Sequence, residues 1–167
     1  GGAALQLSYA LLLQRRGDIE EAIKVYETLY EARPDSYVTA NNLASLLIDN
    51  FPTPENIERA FNVAKRLRAS EVPQYQDTYG WLLYLRGEPE QALRHLQPAA
   101  EALPNEMLVQ FHLGMAYAKA GVAERAVKSL ERAMELAGDK ADSKQASEAR
   151  ATLAALKSAA GKKKAAN

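Results

Sequence analysis

The chain has 167 residues, and 21 Lys plus Arg balance 21 Asp plus Glu, so the formal net charge is zero. That length suffices for one domain with a sizeable core. The charge balance argues against both the basic stripe of a dedicated nucleic-acid binder and a polybasic membrane-surface segment. There is no cysteine, which excludes disulfides, thiolate metal sites and cysteine nucleophiles.

No apolar run approaches the ~20 residues that cross a bilayer, and no signal peptide is visible. The opening Gly1-Gly2, without methionine and running straight into a helical pattern, reads as a piece of a longer protein.

Apolar residues recur with helical spacing nearly throughout, and no run alternates as a half-buried strand does. The expected helices run near 3–16, 19–32, 37–49, 54–69, 74–86, 89–102, 106–119, 122–137 and 143–159. Gly17-Asp18, Gly87-Glu88 and Gly121-Val122 fall between helices, where glycine supplies a left-handed turn. Pro34 and Pro104 close second helices, and Pro73 marks a comparable boundary. The first eight helices pair into four hairpins. Each has small residues where its helices meet: Ala10 with Ala22, Ala44 with Ala60, Gly80 with Ala92, and Gly114 with Ala126. Leu13, Tyr26 and Leu29 fill the space around the first contact, and Leu83, Leu96 and Leu103 that around the third.

The second hairpin is longer. Its Ala44-to-Ala60 spacing is 16, against 12 for Gly80 to Ala92, and the extra residues lie in 49–58, chiefly Asp49 to Pro54. Two readings are open: a tolerated surface insertion, which costs little, or a loop displayed for a partner. The ninth helix has a narrow apolar stripe of Ala146, Ala149, Leu153 and Leu156, as expected of a cap on the last hairpin. Residues 160–167, with three lysines and no apolar pattern, are expected to be a disordered tail.

The hairpins repeat. A shift of 34 brings Gly80 onto Gly114, Gly87 onto Gly121, Ala92 onto Ala126, Leu96 onto Leu130 and Ala99 onto Ala133. These residues resemble the tetratricopeptide repeat, a 34-residue helix–turn–helix unit. The third unit carries the pattern most fully, with Tyr79-Gly80, Leu83, Gly87, Ala92, Leu96, Ala99 and Pro104. The first and fourth follow it, the second lacks the turn glycine, and an early large aromatic is missing from all four. The resemblance implies an all-α, right-handed α-solenoid of four repeats across 3–138 (about 3–36, 37–72, 73–106 and 107–138), followed by the capping helix. Asp77 to Gly87 and Asn41-Asn42-Leu43-Ala44 further resemble bacterial proteins of exopolysaccharide export and envelope protein sorting. That implies a periplasmic or envelope setting rather than the cytoplasm.

The resemblance also implies that first helices line a concave groove that holds a partner's peptide or helix. Stepping by the repeat puts Leu7 and Leu11 there from the first unit, and Asn41, Asn42 and Ser45 from the second. The third supplies Asp77, Thr78, Trp81 and Tyr84; the fourth supplies Phe111, His112, Met115 and Lys119. Trp81, Tyr84, Phe111 and Met115 read either as an aromatic binding floor or as packing between hairpins. Asn41 and Asn42 read as peptide-backbone partners or as packing and capping groups. A clamp for a chaperone's C-terminal carboxylate is not expected. Leu7, Leu11, Asn42, Gln74 and Thr78 stand at its positions, and only Asn42 fits.

The two histidines, His95 and His112, have no metal-ligand spacing, the carboxylates sit among Lys and Arg on helix surfaces, and each glycine is isolated. No catalytic, cofactor or metal site is expected, and no nucleic-acid partner. The expected function is a protein-interaction scaffold, with a structural or self-associating repeat segment as the alternative.

Overall fold

A computed structural model describes residues 2–165, with side chains through residue 162. Nine α-helices occur among them: α1 Gly2–Arg16, α2 Ile19–Ala32, α3 Tyr37–Asn50, α4 Pro54–Ala64, α5 Pro73–Leu85, α6 Pro89–Ala102, α7 Met107–Lys119, α8 Ala123–Leu136 and α9 Lys144–Ala165. Among the described residues there is no strand. Two compact units divide the chain: Gly1–Glu71 holds α1 to α4, and Val72–Asn167 holds α5 to α9.

Three of the four hairpin turns are built alike. Gly17, Gly87 and Gly121 have φ of 83°, 83° and 77°, the left-handed region where a Cβ would be strained. Around each, two backbone N–H groups bond back into the preceding helix. Gly87 N donates to Tyr84 O at 2.9 Å and Glu88 N to Leu83 O at 2.9 Å. The same pair recurs at Gly17-Asp18 and at Gly121-Val122.

The second hairpin closes without glycine. The Thr53 hydroxyl accepts from Asn56 N at 3.2 Å, and the Asn56 side chain donates to Phe51 O at 2.9 Å. Pro54 opens the helix, where its missing N–H is not needed. The inserted residues therefore cap α4 and tie down their own loop.

Small residues sit at the closest helix approaches. Ala10, Ala22, Ala44, Ala60, Ala92 and Ala126 are all fully buried. At Gly80 and Gly114 there is no room even for a methyl: a Cβ would stand 2.7 Å from Leu96 Cγ and 2.6 Å from Leu130 Cγ. Leu13, Tyr26, Leu29, Leu83 and Leu96 fill the surrounding core. Leu103, expected there too, is only half-buried.

Two expected boundaries change. The fourth helix, expected to run unbroken to 69, gives way at Lys65 to a 3-10 segment, Lys65–Ala69. The last helix does not end at 159. It continues to Ala165, so residues 160–165 are helical rather than disordered, and residues 166–167 lie outside the described part. Alanine and lysine are good helix formers, so a segment without an apolar face can still extend a helix already nucleated by packing. That packing is against α7 and α8, where Ala146 and Ala149 are fully buried and Leu153 nearly so.

Candidate functional site

In the second unit, α5 and α7 lie side by side. Six of the eight residues expected from the third and fourth repeats, Asp77, Trp81, Tyr84, Phe111, His112 and Lys119, are connected there in one cluster, and Thr78 and Met115 are not part of it. Lys119 Nζ stands 4.8 Å from the centre of the Tyr84 ring. Tyr84 stacks on Trp81 at 4.4 Å and 10°. Trp81 stacks in turn on His112 at 4.2 Å and 19°. His112 Nδ1 lies 3.0 Å from both carboxylate oxygens of Asp77, so an Nδ1–H donates to that carboxylate. A cation thus closes one end of the aromatic column and a carboxylate the other. Both contacts are of attractive sign, cation to ring face and donor to anion.

The column is mostly packed away. Phe111, tilted against Trp81 at 5.7 Å between centres, is only 1% exposed. Trp81, His112, Met115 and Thr78 are buried as well. The Thr78 hydroxyl donates to Gln74 O at 3.1 Å, a contact within its own helix. Of the two readings open for Trp81 and Phe111, packing between hairpins is what the structure displays. Tyr84 and Asp77 are half-buried and Lys119 is exposed, so these three form the accessible rim.

A further element reaches this face. The Thr152 hydroxyl of α9 donates to Met115 Sδ at 3.6 Å. The Glu148 carboxylate, also on α9, acts on Tyr84. Neither α9 residue was among the expected site residues. Its buried stripe of Ala146, Ala149 and Leu153 was the available signal that one side of α9 lies on another helix.

In the first unit the corresponding residues, two leucines and three polar residues, are more open. Leu11 is 44% exposed, while Leu7, Asn41, Asn42 and Ser45 are half-buried. Asn42 joins three helices: its amide donates to the Tyr26 hydroxyl at 3.1 Å, and that hydroxyl donates to Gln14 Oε1 at 2.7 Å. Tyr26 is wholly buried, so this chain of bonds ties α1, α2 and α3 together. Asn41 Nδ2 donates to Asn42 Oδ1 at 3.3 Å. Asn41 Oδ1 is buried with no hydrogen-bond donor among the described residues, an unusual state for a polar atom in a folded core.

Two tyrosine hydroxyls are held above their ordinary pKa. Burial raises Tyr26, against a smaller lowering by its bond from Asn42. Burial raises Tyr84 too, with the Glu148 charge adding in the same direction. The unfolded chain therefore ionises first as pH rises. Stability is complete below about pH 10 and falls as pH climbs from there through the folded-state values. Urea unfolding at about pH 8, 10 and 11 checks this, and Tyr26→Phe with Tyr84→Phe should flatten the alkaline decline.

Three family models, each described as tetratricopeptide repeat, match residues 3–46, 73–98 and 111–144. This chain carries tetratricopeptide repeats. Solved structures agree in fold. MamA of Desulfovibrio magneticus RS-1, from its residue 41 to its end, matches with a TM-score of 0.61 and 20% identity, covering 94% of this chain and 96% of that one. A thermophilic tetratricopeptide protein of Thermus thermophilus gives 0.65 and 22%, covering 95% and 83%. YrrB, described as a tetratricopeptide protein with an unusual peptide-binding site, gives 0.61 and 19%, covering 90% and 84%. At such identities the likeness is one of fold, an α-solenoid. No curated protein matches the sequence at a significant level. Tetratricopeptide repeats generally mediate protein–protein interaction and are typically non-enzymatic. The second hairpin's later part, with its glycine-free turn, lies outside the three matched stretches.

Among the described residues, no helix is long and apolar enough to cross a membrane. No group of three or more His, Cys, Asp or Glu is placed to hold a metal ion there either.

Proposed function

We propose that the chain is a binding scaffold whose first-helix faces hold an extended segment or helix of a partner protein. One observation carries this reading: Asn41 Oδ1 lacks a donor among the described residues, in the same unit as the exposed Leu11, and the repeat step assigns both to first-helix groove positions. A turn of the half-buried Asn41 amide would bring this buried acceptor, whose isolation costs about 1–3 kcal/mol, to an incoming backbone N–H, while an apolar side chain of the partner covers Leu11. In the second unit, taken by itself, the rim of Asp77, Tyr84 and Lys119 offers a carboxylate, a ring and a cation to a partner's segment. The stacked residues beneath hold that rim in place. The module acts without chemistry of its own, as one part of a larger assembly. The resemblance of Asp77 to Gly87 to envelope and exopolysaccharide proteins favours a bacterial envelope setting.

A displayed peptide library selected against the full chain tests the reading. Selected peptides should lose at least tenfold in affinity to Leu11→Asp or Asn41→Ala, and severalfold to Tyr84→Ala with Lys119→Ala. These side chains are wholly or partly exposed, so the variants should fold. Equal affinity for all variants would place binding elsewhere.

A second reading, self-association, has its own support. Leu5, Tyr9 and Leu12 are 77%, 49% and 51% exposed along one side of α1. Their equivalents one repeat on, Thr39, Leu43 and Leu46, are all buried in α3, which packs on α2. The α1 side therefore has the make-up of a helix-stacking surface. Sedimentation across a concentration series decides: a dimer that Tyr9→Arg returns to monomer supports the reading, and a strict monomer ends it.

A further inference from the structure

The repeats serve as their own control, because equivalent positions should hold equivalent side chains. In α7, Tyr117 occupies the position held by Leu13, Leu47 and Leu83 in the three earlier hairpins. In α8, Ser129 occupies that of Val25, Val63 and His95. The last hairpin has thus exchanged two apolar positions of the first two hairpins for hydroxyl-bearing residues. Such exchanges weaken packing unless the polar atoms find partners.

They border an open cavity of about 530 Å³ between α7 and α8, floored by Gln110, Leu113, Tyr117 and Ser129. A second cavity continues it past Gln97 and Ala100 of α6, sharing Gln110, Leu113, Tyr117 and Arg125. Gln110 and Ser129 are both 8% exposed. Gln110 Nε2 makes only a long bond, 3.5 Å, to Ala100 O, and the Ser129 hydroxyl has no partner among the described residues. The Tyr117 oxygen accepts from Gln97 Nε2 at 2.8 Å and from Arg125 Nη1 at 3.5 Å, which leaves its own O–H to donate. Among the described residues, Lys128 borders the cavity without an ion-pair partner and Arg125 engages only Tyr117. The two carboxylates on the first cavity are already matched, Glu131 by Lys157 at 2.8 Å and Glu135 by Arg132 at 3.0 Å, while Glu101 stands on the continuing cavity past Ala100. What remains unspent on the first cavity is two cations and two hydroxyl donors beside the apolar Leu113, against the one carboxylate of Glu101 on its continuation.

The geometry points to a second binding site, between α7 and α8, for a glutamate- or aspartate-bearing peptide segment. Its carboxylate lies between Arg125 and Lys128 and accepts from Ser129 and Tyr117. Its neighbouring apolar side chain rests on Leu113, and its backbone meets Gln110. A charge-assisted bond to guanidinium is about twice as strong as a neutral one, so the carboxylate supplies most of the selectivity. The site uses none of the first-helix residues Asp77, Trp81 or Tyr84, and it stands or falls independently of the scaffold reading.

The experiment is an NMR titration of the full ¹⁵N-labelled chain with the peptide acetyl-Ala-Leu-Glu-Ala amide. Two controls accompany it, the same peptide with Gln for Glu, and inorganic phosphate. The expected result is saturable shifts centred on Gln110, Lys128 and Ser129. Affinity should fall at least tenfold for the Gln peptide and for Arg125→Gln with Lys128→Gln. Ser129→Val, which restores the valine of the first two hairpins, should weaken binding severalfold with thermal stability unchanged or raised. That variant separates loss of the site from loss of fold. Shifts scattered over the surface, binding indifferent to Ser129→Val, or phosphate producing the same shifts at equal affinity would overturn the proposal.

Discussion

Phe111→Ala should cost the second unit about 3–5 kcal/mol, the range for removing a fully buried phenyl ring. Phe111 is 1% exposed and lies 5.7 Å, centre to centre, from Trp81. The vacated space would lie beside the column of Tyr84, Trp81 and His112, so the loss also frees those rings to shift. Against a whole-domain stability of about 5–15 kcal/mol, such a change removes a large share. Trp81 is the only tryptophan, so urea unfolding followed by its emission reads the effect directly. The emission of the folded variant should also change as the stack loosens. A cost below about 1 kcal/mol with unaltered emission would show that Phe111 is not the support described here. Tyr84→Ala with Lys119→Ala is the contrasting case. It alters the accessible rim and should change stability by far less.

The second large effect is expected at the α7–α8 contact, read as a double-mutant cycle. A methyl added by Gly114→Ala stands 2.6 Å from Leu130 Cγ and 3.1 Å from the Leu130 backbone nitrogen. Forcing the helices to make room costs about 1–3 kcal/mol, against which alanine's better helix propensity returns about 1. Leu130→Ala removes a fully buried side chain and costs about 2–5 kcal/mol. Combined, the added methyl occupies part of the space that Leu130 leaves. The double variant should therefore be less destabilised than the sum of the two, by about 0.5–2 kcal/mol. Additive losses would mean that Gly114 is needed for something other than room for Leu130.

Much of the fold was legible because it depends on local chemistry repeated at a fixed spacing. Gly17, Gly87 and Gly121 mark turns whose left-handed φ other residues rarely adopt. Gly80 and Gly114 mark approaches that no side chain can share. These are properties of single positions, and a period of 34 multiplies them. The end of α9 was not legible, because helix extension through Lys162 and its neighbours depends on a packed nucleus upstream. The break at Lys65 was missed for a related reason: a 3-10 segment keeps nearly the same spacing of apolar residues over so short a run.

The site was half legible. The repeat step placed Asp77, Trp81, Tyr84, His112 and Lys119 on one face, and they do form one connected stack. Their exposure was not readable. An aromatic in a helix carries the same letter whether it faces a groove or the next hairpin, and Phe111 lies sealed against Trp81 of α5. The same holds for the partnership of Asn42 with Tyr26, two residues 16 apart that only the stacking of α3 on α2 brings within 3.1 Å.

By itself, the sequence determined the helical repeats and the three glycine turns. Periodicity and glycine placement act within a few residues and need no tertiary context. Only the tertiary structure decided which of those residues are open to a partner. Burial is a sum over neighbours far apart in the chain, as where α9 folds back to set Thr152 against Met115. That sum leaves Leu11 accessible and Phe111 enclosed.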